Sequence, residues 1–162
     1  MLPKIDNTEK TDVYKPDYIK IAPEFDYTLN FDGCSKGNPG LAGAGAVIYH
    51  YNKEYWSGSF FVGEIFTNNH AEYTGLILGL QQAKMLGIKQ LKVQGDSLLV
   101  INQMKGLYKC KSIHLLELYE SAKDLETYFE RIEYEHIFRN KNKRADELSN
   151  IAVANYEQHN IL

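Results

Sequence analysis

The sequence predicts an α/β protein in which a mixed five-stranded sheet is flanked by helices. Three segments with alternating apolar residues come first, followed by helix, strand, two helices, strand and helix. Helical crossovers link the strands that follow the first helix, so we expect these strands to run parallel to the first. Sites in such sheets form where neighbouring parallel strands end.

Length and composition indicate a single domain of ordinary globular character. The chain has 162 residues, of which 44% are hydrophobic and 24% charged. No apolar stretch approaches the roughly 18 residues of a membrane span, and the first 20 residues show no signal-peptide pattern. Cys34 and Cys110 are too few for a disulfide framework and are not spaced as a zinc site. We therefore expect an intracellular, cytoplasmic protein without a membrane partner, with the nucleus or an organelle left open.

The charge distribution gives an ambiguous indication of nucleic-acid binding. The net charge is −3, whereas nucleic-acid-binding domains usually carry a basic surplus. The bases nevertheless cluster in two places: Lys84, Lys89, Lys92, Lys105, Lys109 and Lys111, then Arg139, Lys141, Lys143 and Arg144. A binding stripe and solvated helix faces explain these clusters equally well.

The first elements follow a polar tail. Residues 1–24 contain three prolines and no sustained period, which predicts a tail, and residues 25–162 form the predicted domain. The first strand is predicted from Tyr27 to Asp32. The next two, "LAGAGAVIYHYN" and "KEYWSGSFF", are predicted to form an antiparallel hairpin around an Asn52-Lys53 turn.

The second half alternates helices with two further strands. A helix is predicted over residues 69–86, with Leu86 on its apolar side and Gly87 as its C-terminal stop. "QLKVQG" and "RIEYEHIF" alternate as the fourth and fifth strands. The remaining helices are predicted at about 98–104, 114–129 and 143–158.

Four carboxylates lie at boundaries of these predicted elements. Asp32 ends the first strand, Asp96 follows the fourth, and Glu72 and Asp146 lie in the first turns of the first and last helices. Each has a structural explanation when taken singly. Asp32 could initiate a turn, and Asn69 with Glu72 has the spacing of a capping box. Asp96 could cap the short helix, and Asp146 could favour the helix dipole.

Taken together, the four carboxylates predict a metal site. The first and fourth strands are predicted parallel neighbours, so Asp32 and Asp96 would lie side by side, and both helix starts could face the same edge. Converging carboxylates repel one another unless a cation lies among them, and all-oxygen ligands suit Mg²⁺ or Mn²⁺. Two such ions, roughly 4 Å apart, stabilise a phosphodiester displacement. The small residues after Asp32 would let a phosphate backbone approach.

Four segments carry a close resemblance to the type 1 class of ribonuclease H, over about residues 26 to 158. They are "FDGCSKGNPG", "TNNHAEYTGLILGL", "VQGDSLLVI" and "NKNKRADELSN". The resemblance implies an endonuclease that hydrolyses the RNA strand of RNA–DNA hybrids by a two-metal-ion mechanism, leaving 5′-phosphate and 3′-hydroxyl ends. It further implies a monomer in which two Mg²⁺ ions, replaceable by Mn²⁺, are held by Asp32, Glu72, Asp96 and Asp146.

The resemblance also implies a set of hybrid contacts. The predicted substrate-binding residues are Gly33, Asn38, Thr67, Asn68, Asn69, Lys111, Ser112 and Asn142. Three of these, Asn38, Asn68 and Asn69, correspond to residues that contact the minor groove, including the 2′-hydroxyls that distinguish RNA from DNA. Thr67 corresponds to a residue that grips a phosphate of the DNA strand. Helix capping is the alternative role for residues 67–69.

The chain departs from the family pattern in two places. Some bacterial and animal members carry a protrusion rich in Lys and Trp between the middle helices, whereas the segment here is "MKGLYKCKSIHLLELY", which is shorter and has no tryptophan. The chain therefore resembles the compact archaeal and plant-like subgroup, and we expect a weaker basic grip on the substrate. The tail does not match the separate hybrid-binding domain of some members.

His136 leaves two interpretations open. It lies ten residues before Asp146, and a family histidine at that distance assists proton transfer or product release. Its sequence parity matches Ile132, Tyr134 and Phe138, as expected for a core histidine. The fifth strand should end at the active edge, which favours the catalytic interpretation.

Three alternatives to a hybrid endonuclease follow from the same residues. A DNA-directed nuclease of the same superfamily would use the same acidic geometry, although the Asn-rich segments favour a protein that recognises 2′-hydroxyls. A non-catalytic hybrid-binding module would be expected to lack at least one carboxylate, and all four are present. A generic α/β domain would require four coincidental boundary acids.

Overall fold

The structure is a computed structural model that describes residues 24–160. Nearly all of the predicted tail, residues 1–24, lies outside this range, so that prediction is untested. Within the described range, the strands are β1 (Tyr27–Lys36), β2 (Gly40–His50), β3 (Lys53–Phe66), β4 (Gln90–Gly95) and β5 (Arg131–His136). The helices are α1 (Asn68–Met85), α2 (Leu98–Met104), α3 (Ile113–Glu126) and α4 (Lys143–His159), and a 3-10 turn, Arg139–Lys141, precedes α4. No described helix is both long and apolar enough to cross a membrane.

The sheet has the predicted topology. Its strand order is β3-β2-β1-β4-β5, in which β2 is antiparallel to both β1 and β3, whereas β4 and β5 run parallel to β1. The central position of β1 arises because β2 returns as a hairpin on one side while the α1 crossover delivers β4 to the other. The mixed α/β architecture is therefore confirmed.

The first hairpin differs from its prediction in length and in its turn. Both β1 and β3 extend beyond their predicted ends, to Lys36 and Phe66. The start of β2 supplies backbone partners to both strands there, without interruption to β1 and with register shifts at Gly40–Gly43 to β3. The turn lies at Tyr51-Asn52 rather than Asn52-Lys53, and both residues have positive φ, 48° and 65°. Two positive φ angles are typical of the two-residue hairpin turns that match strand twist.

Helices cover the sheet on both faces. Leu29 and Phe31 of β1 are fully buried in the main core, which also contains Leu76 and Leu80 of α1. On the other face α4 packs so closely that a Cβ atom on Gly45 would lie 2.3 Å from the Ala145 carbonyl oxygen. The predicted apolar side of α1 is confirmed except at its last position, because Leu86 follows the helix end and is exposed.

Candidate active site

Asp32 lies where the parallel partner of β1 stops. The last β1–β4 pair is Phe31 with Gly95, and Asp96 follows directly. The prediction that Asp32 ends its strand is wrong, because β1 continues to Lys36 on its β2 ladder alone. The expected consequence nevertheless holds, since Asp32 and Asp96 occupy equivalent places one step beyond the last parallel pair.

Close packing of α1 on β1 places Glu72 beside Asp32. A Cβ atom on Gly33 would lie 2.2 Å from the Glu72 backbone nitrogen, so only glycine permits this approach. Thr67 caps α1, and its Oγ1 accepts a hydrogen bond from the His70 amide at 3.2 Å. The Asn69–Glu72 capping box is therefore wrong, and Glu72 lies beyond the first turn. Its carboxylate takes no part in capping.

Asp96 and Asp146 complete the cluster from two other elements. Ser97, not Asp96, caps α2, because its Oγ accepts from the Val100 amide at 3.3 Å. Asp146 lies in the first turn of α4 as predicted. Its Oδ1 is 3.9 Å from an Arg139 guanidinium nitrogen. All four carboxylates line one cleft with a volume of about 540 Å³.

The donor set fits a hard divalent cation. One oxygen each from Asp32, Glu72 and Asp96 can be chosen so that all three lie within 4.8 Å of one another. Asp32 and Glu72 are only 4% and 8% exposed, and the buried Glu72 Oε2 has no hydrogen-bond partner among the described residues. Dehydrated carboxylate oxygens without donors are the ligands that Mg²⁺ and Mn²⁺ take. Asp146 lines the same cleft but is not in this three-carboxylate group.

Burial and mutual repulsion shift the titration of the cluster. Burial raises the pKa of Asp32 to about 7, and the Asp96 carboxylate adds to the increase while a hydrogen bond with Glu72 opposes it. Burial, followed by the charge of Asp32, raises the pKa of Glu72 well above its usual range. Burial also raises the pKa of Asp96, against the opposing charge of Arg139. Protons and a cation therefore compete for the same oxygens.

His136 ends β5 and lines the cleft. Its ring Nε2 is 3.1 Å from the Asp96 backbone oxygen, a distance at which an Nε2–H donates to the carbonyl. The ring is half-buried, and Phe138, which has the same parity, is 72% exposed. The alternation of residues along β5 therefore does not place His136 in the core. Its position in the cleft favours the catalytic interpretation.

Arg139 is a cleft residue that the sequence analysis did not select. Its guanidinium lies beside Asp146, and its charge lowers the pKa of Asp96. The 3-10 turn after β5 brings Arg139 over the carboxylates while the rest of the side chain remains exposed. In the sequence, its position between His136 and Asp146 is the feature that could have indicated a place in the cleft.

Asparagines tie the turn after β1 to the start of α1. Asn38 Oδ1 accepts from the Asn68 amide at 2.9 Å, and Asn68 Oδ1 accepts from the Ser35 amide at 2.7 Å. Both oxygens are thereby engaged, while neither side-chain NH₂ group has a hydrogen-bond partner within residues 24–160. The structure thus brings together two of the three predicted minor-groove residues and leaves their donors available.

A second groove adjoins this turn. The turn after β1, the start of α1 and the start of α3 line it. Its polar lining residues are Asn38, Thr67, Asn69, His70, Ser112 and His114. Its volume is about 530 Å³. Lys111 is exposed next to Ser112, the N-cap residue of α3. The predicted substrate-binding residues therefore fall along one surface, with one exception.

Asn142 is the exception. It is 1% exposed, and its Nδ2 donates to the Phe31 carbonyl at 2.9 Å. This burial does not support the substrate contact of Asn142, which stays a prediction. The side chain fixes the start of α4, and hence Asp146, against β1.

The chain matches known proteins in sequence over most of the described range. A family described as "Reverse transcriptase-like" matches residues 30–152. A bifunctional protein of Mycobacterium tuberculosis is 44% identical over 127 residues, which are 77% of this chain and 35% of that protein. Ribonuclease HI of Halobacterium salinarum is 36% identical over 76% of this chain and 62% of its own length. The chain thus spans about a third of the mycobacterial relative.

Solved structures are similar to this chain over a comparable share of its length. The N-terminal RNase H domain of the M. tuberculosis protein, solved as a fusion with maltose binding protein, has a TM-score of 0.78 at 41% identity and covers 82% of this chain and 96% of its own. LC11-RNase H1, solved in complex with an RNA/DNA hybrid, has a TM-score of 0.76 at 36% identity, with coverages of 80% and 98%. The similarity extends over nearly the whole length of both solved chains.

Proposed function

Because this chain belongs to the type 1 ribonuclease H family, we propose that it is an endonuclease that hydrolyses the RNA strand of RNA–DNA hybrids. The observation that carries the proposal is the buried carboxylate cluster at the end of the β1–β4 pair, in which Glu72 Oε2 lacks a hydrogen-bond partner among the described residues. Carboxylates gathered in this way are neutralised by protons or by a cation, and a divalent cation suits three converging oxygens. The hybrid bound by LC11-RNase H1 supports the substrate class.

Asp32, Glu72 and Asp96 would hold the cations, with Asp146 as the outermost ligand. We propose two Mg²⁺ ions, for which Mn²⁺ can substitute, because the donors are all oxygen. When bound, such cations supply electrostatic stabilisation of a phosphodiester displacement. The residues themselves provide the fixed geometry: Gly33 brings Glu72 against β1, and Asn142 anchors the helix that carries Asp146.

The reaction that fits this cleft breaks the bond between phosphorus and the 3′-oxygen. Water adds its oxygen to phosphorus, and the leaving 3′-oxygen takes a proton, which gives 5′-phosphate and 3′-hydroxyl ends. The imidazole of His136, at the rim of the cleft, is the group that we propose moves this proton. General acid–base assistance of this kind contributes on the order of 10² to 10⁴ in rate.

Selection of RNA is assigned to the asparagines beside the cleft. The NH₂ groups of Asn38 and Asn68 can donate to 2′-hydroxyl oxygens, because their carbonyl oxygens are already engaged within the protein. A DNA strand at the same place would lack these 2′-hydroxyl oxygens. This surface supports hybrid cleavage over the DNA-directed alternative. We further propose that the protein acts as a cytoplasmic monomer.

Labelled substrates test the proposal. Purified protein is incubated with RNA–DNA hybrid, RNA duplex, DNA duplex and each single strand, with and without Mg²⁺. We expect cleavage of the RNA strand of the hybrid alone, only with a divalent cation, and a mobility shift of the products after phosphatase treatment. Cleavage of DNA duplex would support the DNA-directed alternative, and binding without cleavage would support a non-catalytic module.

A further inference from the structure

A buried polar connection links the catalytic helix to the basic loop between α2 and α3, here defined as residues 105–112. Gln103 is 3% exposed, and its Oε1 accepts from the Tyr73 hydroxyl at 2.5 Å. Its Nε2 donates to the Lys109 backbone oxygen at 3.5 Å. Tyr73 is fully buried and directly follows Glu72 in α1. One amide therefore joins the helix that carries a catalytic carboxylate to the loop.

The basic loop is held at adjacent residues. The Lys109 carbonyl is fixed by Gln103, and the next residue, Cys110, packs its side chain against the main core. Lys109 and Lys111 flank Cys110 and are both exposed. Cys110 therefore points inward while the lysines on either side of it are exposed to solvent.

The loop ends at one wall of the second groove. Ser112, three residues after Lys109, is the N-cap residue of α3. It lines the groove together with Thr67 and Asn69 at the start of α1. The spacing of the two walls depends on what fixes the loop to α1. We infer that Gln103 is a positioning residue for substrate: it holds Lys109, Lys111 and Ser112 at a set distance from the carboxylate cluster. This inference rests on the proposed function.

The connection explains how a compact chain could grip a hybrid without a long protrusion. Two lysines on a fixed backbone lose less freedom on contacting phosphates than two lysines on a mobile backbone, so a rigid loop gains affinity from fewer charges. Gln103 contacts none of the four carboxylates, so its loss should weaken binding and leave the chemical step unchanged.

The test uses the full chain and an RNA–DNA hybrid at several salt concentrations. Gln103→Met keeps the side-chain volume but removes both hydrogen bonds. We expect KM to rise about fivefold, the factor that corresponds to one ordinary hydrogen bond, with kcat unchanged. Val100→Ala, a fully buried position in α2, is the matched control: it should lower the melting temperature without changing KM.

A double-mutant cycle separates positioning from general destabilisation. Lys109→Gln with Lys111→Gln should raise KM and flatten the salt dependence of binding by about two units of slope. In that background, Gln103→Met should raise KM by much less than fivefold, because two of the three side chains that it positions no longer carry charge and only Ser112 remains. Gln103→Glu, which in its ionised form accepts from Tyr73 but cannot donate to Lys109, should reproduce the KM increase if Gln103→Met does not fold.

Two results would overturn the inference. Additive effects of Gln103→Met and the lysine substitutions would show that Gln103 does not act through the loop. An equal KM change in Val100→Ala would show that destabilisation alone accounts for it. Wild-type protein that binds and cleaves hybrid in the same experiment keeps the proposed function intact in both cases, and wild-type protein that does neither would remove the proposed function itself.

Discussion

The carboxylate cluster has an inner pair and an outer pair that differ in their surroundings. The inner pair, Asp32 and Glu72, is almost fully buried, and Glu72 has an oxygen with no partner among the described residues. The outer pair, Asp96 and Asp146, is half-buried and lies near the guanidinium of Arg139. Among the described residues, the positive charge of Arg139 lies near the outer pair and not near the inner pair. In the proposed function, the inner pair would depend on a bound cation, whereas the outer pair is partly neutralised by Arg139.

Loss of an inner carboxylate should have the largest effect. Asp32→Asn or Glu72→Gln should reduce hybrid cleavage about 10³-fold or more, because cation stabilisation of the displacement is worth several kcal/mol. The metal-free variants should melt at the same temperature as wild type or higher, since one repelling charge is removed. Steady-state cleavage and thermal melting measure both, with Asp124→Asn on α3 as a charge-matched control.

The amide of Asp96 should behave like those of the inner pair, because Asp96 contributes the third oxygen of the three-carboxylate group. Wild-type turnover in Asp32→Asn, Glu72→Gln or Asp96→Asn would remove the assignment of that residue.

Loss of the rim histidine should have the next largest effect. His136→Ala should lower kcat at least about tenfold through the loss of proton transfer, while the melting temperature changes by only a few degrees. A histidine that only packs would show the reverse, an earlier melting transition at normal turnover. Comparing kcat with the melting temperature in one preparation decides between these roles.

Loss of the outermost carboxylate should be milder. Asp146 is half-exposed and lies outside the three-carboxylate group, so we expect Asp146→Asn to reduce kcat by no more than about tenfold, because exposed charges contribute little. Assays at increasing Mg²⁺ should recover part of the loss. A loss as large as that of Asp32→Asn would show that Asp146 does not differ in function from the three-carboxylate group.

The pH dependence of stability should be the smallest effect. The folded-state pKa of Asp32 is raised from 3.8 to about 7, so the metal-free folded protein binds more protons than the unfolded chain between these values. The stabilisation linked to the raised pKa of Asp32 is fully present below about pH 4 and is lost as the pH rises through about 7. We expect melting temperatures of metal-free protein to fall across this window and to fall less in Asp32→Asn. Equal slopes would contradict the raised pKa.

Topology was predictable because it depends on apolar periodicity, whereas boundaries depend on partners that sequence does not reveal. The strand order follows from alternation and crossovers, and four carboxylates at edges of elements suffice to predict their convergence. The continuation of β1 past Asp32 depends on small residues in β2 that remain paired. Likewise, Thr67 caps α1 in place of the predicted Asn69–Glu72 box, and Ser97 caps α2 in place of Asp96. Capping depends on backbone geometry that the sequence does not reveal.

Burial explains the remaining differences at the site. Asn142 lies in a polar, charged stretch typical of a surface, yet it is buried because Phe31 presents a carbonyl that needs a donor where β4 has ended. The sequence placed Arg139 only in a basic cluster of undecided role, because its neighbours in the chain do not show which carboxylate it will approach. Its role appears only when the turn after β5 brings it to Asp146.

Direct measurement of cation binding tests the central claim, that the inner pair requires a cation which the protein does not supply. Calorimetric titration of metal-free protein with Mn²⁺ at pH 8, where Asp32 is largely ionised, compares wild type with Glu72→Gln and Asp146→Asn. We predict that Glu72→Gln loses Mn²⁺ binding while Asp146→Asn retains most of it. Unchanged Mn²⁺ affinity in Glu72→Gln would contradict the account.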